Sequence, residues 1–490
     1  MMDFEEIYGH VPADLAGWIA DLSLAMTIDG ADADPDGVQD VIHACDERLI
    51  ARSPDAGARH VDAAVAAARA AFPGWAATPW AQRRAMLEAF ADALWAARAP
   101  LALLIGAEAG RPLRRALSEV VFAVGYIRTL AAQTLAEVPY QVAGMQARLV
   151  HRPLGVVGAI APWNGPVILA AAKIANALLS GDTMILRPSP FTPLSALMLG
   201  RIGRGIFPRG VFNVITGDAD VGAAMTTHPG IAKISFTGST ATGRVIAAAA
   251  APTLKRLTLE LGGNDAAIVL PDADIDLLCD TLYRTSFENA GQFCACIKRL
   301  YVHEAVRDAV VAGLTQRLAA ARIGPCLDPA TTMTPVQNRK QFERVWGLID
   351  DAAVRGGTIL SGGERLDRGL FIPPTLFMGV GHGVALVDEE QFGPVLPILP
   401  FRDVEAALAD ANSGEMGLGG SVWTADVERG LALAGRMECG TAWVNQHGAF
   451  TAALPMPFAK QSGIGMDYAH YGVAEHSRPM LLNVRVPVAG

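Results

Sequence analysis

Between residues 154 and 238 short apolar runs alternate with helical stretches, and few folds accept that order. The strand candidates are L-G-V-V-G-A-I, T-M-I-L-R, G-V-F-N-V-I and A-K-I-S-F-T; helical patterns at 167–179, 193–206 and 221–228 separate them. Strands without polar alternation are buried on both faces, and helical crossovers between parallel strands are right-handed. The predicted fold class is therefore α/β, with a Rossmann-like doubly wound cofactor domain. Ligands in such sheets bind at the carboxyl ends of the strands.

A chain of 490 residues exceeds one core, so further domains are expected. Helical periodicity fills the region from Val61 to Leu135, and a short amphipathic helix is expected over 15–26, with loop over 28–30 and 32–37. Residues 140–153 alternate around Gly144 as a hairpin does. A second α/β region follows Gly263, with helices expected at 272–284, 305–321 and 342–355. The tail M-L-L-N-V-R-V-P-V reads as an edge strand, with the hairpin or another subunit as its partner.

Net charge is −9 with no long basic run, so nucleic acid is not an expected partner. The uncharged run 154–172 is broken by Pro162, Asn164, Gly165 and Pro166, and no membrane span is expected. The acidic start M-M-D-F-E-E is no signal peptide, and six scattered cysteines suit a reducing, cytoplasmic home. Cys294-Ala-Cys296 lacks metal spacing and no histidine cluster accompanies it, so no metal site is expected.

Three residues stand out chemically. Cys294 follows a Gly-Gln turn and precedes the basic strand start K-R-L-Y-V. A cysteine thiolate is a strong nucleophile. Glu260 sits in the apolar run L-T-L-E-L-G-G, where desolvation raises a carboxyl into the range of a general base. Asn164 ends the strand-turn segment A-P-W-N. The turn F-T-G-S-T-A-T-G can present helix N-terminal N–H groups to a phosphate, although it is not the G-x-G-x-x-G fingerprint.

In order and spacing, A-P-W-N, F-T-G-S, L-E-L-G-G, F-E-N-A-G-Q-F-C, E-E-Q-F-G-P-V and K-Q-S-G-I-G resemble the aldehyde dehydrogenase superfamily from about Ile28 to Val484. The resemblance implies Cys294 as nucleophile, and Asn164 with the Cys294 N–H as oxyanion hole. It implies Glu260 as the base that hydrolyses an acyl thioester, so that a free acid and not a coenzyme A ester is the product. Lys173 would relay protons, with Asp467 in place of a longer acid. Cofactor contacts would come from Ala161, Pro162, Trp163, Arg187, Ser189, Pro190, Thr237, Gly238, Ser239, Leu261, Gly262, Glu390 and Phe392. The substrate pocket would be lined by Gly165, Leu169, Ala172, Phe293 and Ala295. The division implied is a cofactor domain (1–138 and 158–258), a catalytic domain (259–468) and a β oligomerisation element (139–157 and 469–490) of a homodimer or homotetramer.

The chain departs from the common pattern in two places. R-P-S-P stands at 187–190 where relatives carry K-P-S-E, which removes a glutamate that disfavours a 2′-phosphate. Arg187 either attracts that phosphate or replaces the lysine on the ribose; the cofactor is NAD or NADP, with NAD favoured. The loop P-M-P-F-A-K at 455–460 has lost two glycines, so its backbone must differ. Small residues after Asn164 suit a bulky, aromatic or hydrophobic aldehyde, and no basic residue stands out as partner for a substrate carboxylate. Cys296 reads as a packing residue, or as a disulfide partner of Cys294 under oxidation. The alternative function is a nucleotide-binding protein of this fold that holds its cofactor tightly and turns over little.

Overall fold

The structure is a computed structural model, and it describes residues 6–486. The acidic residues 3–5 and the last two residues of the tail strand motif lie outside the described residues. Two large sheets organise the chain. The first has five parallel strands, in the spatial order Phe212–Val214, Thr183–Arg187, Val156–Ile160, Lys233–Thr237 and Arg256–Glu260. Chain order therefore reverses between Val156–Ile160 and Lys233–Thr237, and a doubly wound sheet opens its ligand crevice at such a reversal. All four strands from Phe212 to Thr237 in that order are fully buried, as their unbroken apolar runs require.

The loops expected at 28–30 and 32–37 are loop only at 29–30 and 34–36. Met26–Ile28 and Ala31–Ala33 form an antiparallel extension of the first sheet, and Gly37–Ile42 pairs with Leu49–Asp55. The amphipathic helix near the N-terminus is correspondingly shorter, Leu15–Asp21. Strands of three residues leave almost no periodic signal; buried Thr27 pairs with distant Val214, and Met26 with Ala33.

The second sheet runs Thr358–Ser361, Thr375–Met378, Val395–Phe401, Ile297–His303, Asp265–Val269, Gly419–Trp423 and Thr441–Val444. By sheet membership the division after residue 258 falls later, between Glu260 and Asp265, because Arg256–Glu260 completes the first sheet. Gly463–Ile464 also returns to the first sheet, against Leu259 and Glu260. The hairpin Val138–Val142 and Met145–Pro153 takes the tail strand Ser477–Arg485 as its third strand, which resolves the tail's two expected partners in favour of the hairpin.

The helix Pro166–Ser180 crosses behind the first sheet and is nearly all buried. Its first turn lacks a cap of its own, and Glu119 on the neighbouring helix Leu113–Ala131 supplies one. The Glu119 carboxylate accepts from the N–H groups of Val167 at 2.9 Å and Ile168 at 3.1 Å. A carboxylate there satisfies orphan donors and complements the helix dipole. Among the described residues no single helix is long and apolar enough to cross a membrane.

Candidate active site

The chain reverses sharply before Cys294. Asn289, Ala290 and Gly291 hold consecutive positive φ angles of 54°, 52° and 70°. Such a run is costly for non-glycine residues and persists only where surroundings fix it. Here Gln292 fixes it: its side chain donates to Asn289 O at 2.8 Å and accepts from Gln337 N at 2.9 Å. The turn delivers Cys294 to the ends of the first-sheet strands. Gly263 makes the approach feasible, since a Cβ there would lie 2.5 Å from the Cys294 carbonyl oxygen.

Cys294 Sγ stands 3.4 Å from Glu260 Oε1, with the thiol as donor. Thr237 Oγ1 donates to the other carboxylate oxygen at 3.1 Å, so a residue expected at the cofactor positions the acid instead. Burial pushes Glu260 above the usual carboxylate range, against the opposing pull of Lys173. Burial, and next the Glu260 charge, pushes the Cys294 thiol well above its ordinary value. The resting pair is thus a neutral thiol hydrogen-bonded to an acid of raised basicity. Glu260→Gln removes the repelling charge, so the pH midpoint for alkylation of Cys294 should move down; peptide mass spectrometry across pH measures it, and an unchanged or higher midpoint contradicts this reading.

Asn164 lines the same cavity as Cys294 and Glu260. One N–H of its amide is committed to Gln292 O at 3.0 Å; the amide carries a second donor. Lys173, three helical positions before Asn176, is buried and donates to Ser235 Oγ at 3.1 Å. Burial lowers its pKa, with Asp467 and Glu260 as opposing charges. Asp467 is held by Asn176 Nδ2 at 2.6 Å, so Lys173 reaches Asp467 through the field between them, not through a direct bond.

The cavity has a volume of about 590 Å³. Gly165, Leu169, Phe293 and Ala295 line it as expected. Ala172 does not: it lies one turn deeper on the helix and is buried, and Ile168 lines the wall instead. Met456 and Tyr468 close the far side, held by pairing of Met456–Pro457 with Met466–Asp467. The loop that lost its glycines is thereby a wall of the cavity.

No basic residue was expected to stand out as partner for a substrate carboxylate, and the arginines that line the cavity are already engaged. Arg111, Arg115 and Arg284 line the cavity. Arg111 pairs with buried Glu119 and Arg115 pairs with Glu288, while Arg284 donates to Asp280 O at 3.3 Å and Thr281 Oγ1 at 3.4 Å. Arg111 and Arg115 are far from Cys294 in the chain, while Arg284 stands just before the motif that carries it.

The nucleotide crevice lies where the sheet order reverses. Ala161, Pro162 and Trp163 follow one strand, and Gly238 and Ser239 follow the other. Ser239 caps the helix Thr240–Ala250, its hydroxyl accepting from Thr242 N at 3.2 Å, and a helix N-terminus at this place suits a phosphate. Arg187 is buried and donates through Nη2 to Gly217 O at 2.7 Å, while its buried Nε has no partner. Burial pulls Arg187 down to about 10, which leaves it charged near neutrality. Ser189 is buried, its hydroxyl accepting from Phe191 N at 3.3 Å, and Pro190 adds no charge to the strand end. The orphaned guanidinium nitrogen, the helix N-terminus and a strand-end crevice fit a dinucleotide.

At the other end of that crevice Leu261 N donates to Ser462 O at 2.9 Å, and a Cβ on Gly262 would collide with the Glu390 carboxylate. Glu390 accepts from Gly263 N at 3.2 Å and faces Lys298 Nζ at 3.3 Å. Phe392, at φ 51°, meets Trp163 edge-on with ring centroids 5.4 Å apart. Lys298 is a site residue the sequence reading passed over. Its ammonium donates to the carbonyls of Phe293 and Cys294, each at 2.8 Å, and lies 5.6 Å from the Phe392 ring centroid. Burial opposes its charge, yet Glu390 and the nearby thiols and acids hold it above the ordinary lysine value. Its signal was present as the first cation of the strand after Cys294. Cys296 donates to Gly291 O at 3.4 Å and is a buried free thiol.

Residues 31–480 match the model of the aldehyde dehydrogenase family. The chain is 37% identical over 443 residues to retinaldehyde dehydrogenase 3 of Rattus norvegicus, covering 87% of this chain and 85% of that protein. It is similar to the NAD+ complex of an aldehyde dehydrogenase from Bacillus cereus, with a TM-score of 0.93, 33% identity, and 95% and 97% of the two chains covered. It is also similar to an E. coli NADP-dependent enzyme, with a TM-score of 0.92, 32% identity, and 94% and 98% covered.

Proposed function

The chain belongs to the aldehyde dehydrogenase family, and from that premise we propose that it oxidises a bulky, hydrophobic or aromatic aldehyde to the carboxylic acid, using NAD or NADP, through a thioester on Cys294. The observation that carries the reading is the 3.4 Å contact between Cys294 Sγ and Glu260 Oε1 at the base of the cavity.

Glu260 takes the thiol proton, and the Cys294 sulfur forms a bond to the aldehyde carbon. The carbonyl oxygen gains the electron pair and is received by the Asn164 amide and the Cys294 N–H; each such donor supports a barrier reduction of roughly 3–4 kcal/mol. When bound, the nicotinamide supplies the hydride acceptor that turns the thiohemiacetal into an acyl thioester. The thiol proton first leaves Glu260 outward by way of Lys173 and Asp467; the freed carboxylate then removes a proton from water, the hydroxide adds to the acyl carbon, and the C–S bond breaks to give the acid and free Cys294. The proton then left on Glu260 passes outward by the same route. Burial suits Glu260 to this work, because a base of raised pKa both accepts and releases protons near neutrality.

The nucleotide is held by the crevice from Trp163 to Ser239, with Glu390 and Phe392 at the nicotinamide end. NAD is favoured because the Arg187 guanidinium already serves Gly217 O. The apolar walls formed by Phe122, Ile168, Leu169, Phe293, Phe450 and Met456 support a large hydrophobic aldehyde, as does similarity to a relative named for retinaldehyde. The Arg111–Glu119 pair is buried and the Arg115–Glu288 pair reaches the surface; both engage their arginines and leave the remaining walls largely apolar. Exposed Val138, Tyr140, Val142, Met480, Leu481 and Val484 on the three-stranded sheet support a homodimer or homotetramer. A cytoplasmic home, being reducing, would keep the Cys294 thiol available.

The test is reduced-cofactor formation with NAD and NADP across aldehydes from acetaldehyde to aromatic and long-chain members. The expected result is a kcat/KM for the large apolar aldehydes at least about 10-fold above that for acetaldehyde, as one or two buried methylenes give, with NAD the better cofactor. A preference for acetaldehyde would overturn the substrate reading. Absence of turnover with nucleotide bound would overturn the catalytic one.

A further inference from the structure

A second cluster of reactive side chains lies away from the active-site cavity, at the turn joining Gly37–Ile42 to Leu49–Asp55. His43 and Cys45 stand on that turn; Cys326 lies on the loop after the helix Arg307–Ala319, 281 residues beyond Cys45. The three are 4%, 7% and 0% exposed, which sets them apart from surface groups that meet by chance. His43 Nε2, Cys45 Sγ and Cys326 Sγ all lie within 4.8 Å of one another.

We propose that His43, Cys45 and Cys326 form a binding site for a thiophilic divalent cation, zinc above all, which pins the N-terminal turn to the loop at Cys326. The donor set is one imidazole and two thiols, the chemistry that selects zinc over magnesium or calcium. His43 Nε2 and Cys326 Sγ are 3.4 Å apart, close to the edge of roughly 3.6 Å expected for a tetrahedron with metal–sulfur bonds of ~2.3 Å and metal–nitrogen bonds of ~2.1 Å. His43 Nδ1 bonds Asp46 Oδ1 at 2.8 Å, which fixes the ring so that the lone pair on Nε2 faces the sulfurs. A carboxylate behind a ligating histidine is the usual outer-shell arrangement of metal sites. Cys326 N donates to Cys45 Sγ at 3.3 Å, a bond that favours a thiolate. On binding, each thiol gives its proton to solvent and each sulfur gives an electron pair to the metal; no redox change is involved. Three protein ligands leave the fourth tetrahedral position to water.

The pin has a structural consequence. Cys326 O accepts from Leu113 N at 2.9 Å, at the start of the helix that carries Arg115 and Glu119. Gly110, at φ 67°, lets the turn seat against this corner, because a Cβ there would lie 2.7 Å from Ala44 Cβ. The metal would therefore join three segments of the chain. Spacing along the chain does not reveal this cluster, because Cys326 lies 281 residues beyond Cys45.

The test uses the full chain, reduced and stripped with chelator, titrated with Co(II). One equivalent should produce thiolate-to-cobalt absorption, and Zn(II) should displace it while raising Tm. Cys45→Ser, Cys326→Ser and His43→Ala should lose that absorption, Asp46→Asn should weaken cobalt binding by roughly 10–100-fold, and Cys294→Ser should keep it. Three results would each overturn the proposal: no cobalt absorption by the wild-type chain with its thiols reduced; absorption lost in Cys294→Ser but kept in Cys326→Ser; or an intact mass two hydrogens low with Cys45 linked to Cys326, which would make the pair a covalent staple.

Discussion

Replacing Cys294 by alanine is expected to abolish aldehyde oxidation, lowering kcat by at least about 10⁴-fold, while the nucleotide still binds. The size follows from the sulfur's position. It alone lies beside Glu260 at the cavity base, and no other thiol can replace it: Cys296 is buried and turned to Gly291 O, and Cys279 is buried in a separate core. An aldehyde gives up hydride slowly until a nucleophile converts its carbonyl to an alkoxide. Nucleotide binding should survive, because the crevice from Trp163 to Ser239 is built by the first sheet and does not include the sulfur. Stopped-flow measurement of reduced cofactor, with a separate nucleotide titration, checks both halves. Turnover within 10²-fold of wild type would remove Cys294 from its role.

The second large effect belongs to Glu260. Glu260→Gln should preserve a first burst of reduced cofactor and lower the steady rate by about 10²–10⁴-fold, the usual range for loss of a general base. The substitution keeps the Thr237 contact as a hydrogen bond and keeps volume, so the cavity stays formed. Lower thiol pKa in the variant offsets the lost proton acceptor in the first step, but nothing offsets it in hydrolysis. The burst amplitude should equal the active-site concentration. If burst and steady rates fall together, Glu260 serves only the attack by Cys294.

Much of this was legible along the chain. The buried runs ending at Ile160, Arg187, Val214 and Thr237 announce a parallel sheet, because only such strands tolerate apolar residues on both faces. Cys294 and Glu260 are unusual in their local settings, but the roles of all three, Asn164 included, came from the ordered motifs that resemble the family, and the structure brings the three to one cavity. Lys298 was read only as a strand start; its work depends on Glu390, 92 residues away. Glu119 looks like any helix acid until the adjoining helix presents the uncapped N–H groups of Val167 and Ile168. Ala172 was placed in the pocket by resemblance to relatives; here it is buried, and Ile168, one helical turn earlier, lines the wall. The strands at 26–28 and 31–33 form a hairpin on the turn Asp29-Gly30, a local signal that the reading of this stretch as loop passed over, and Thr27 then pairs with Val214 of the first sheet.

The most direct test of the account is to mix Glu260→Gln with an aromatic aldehyde and NAD, quench in acid at the end of the burst, and weigh the Cys294 peptide. The account predicts one acyl group, with the mass of the aldehyde less one hydrogen, on Cys294 and on no other residue. Reduced cofactor formed in stoichiometric amount with Cys294 unmodified would contradict it.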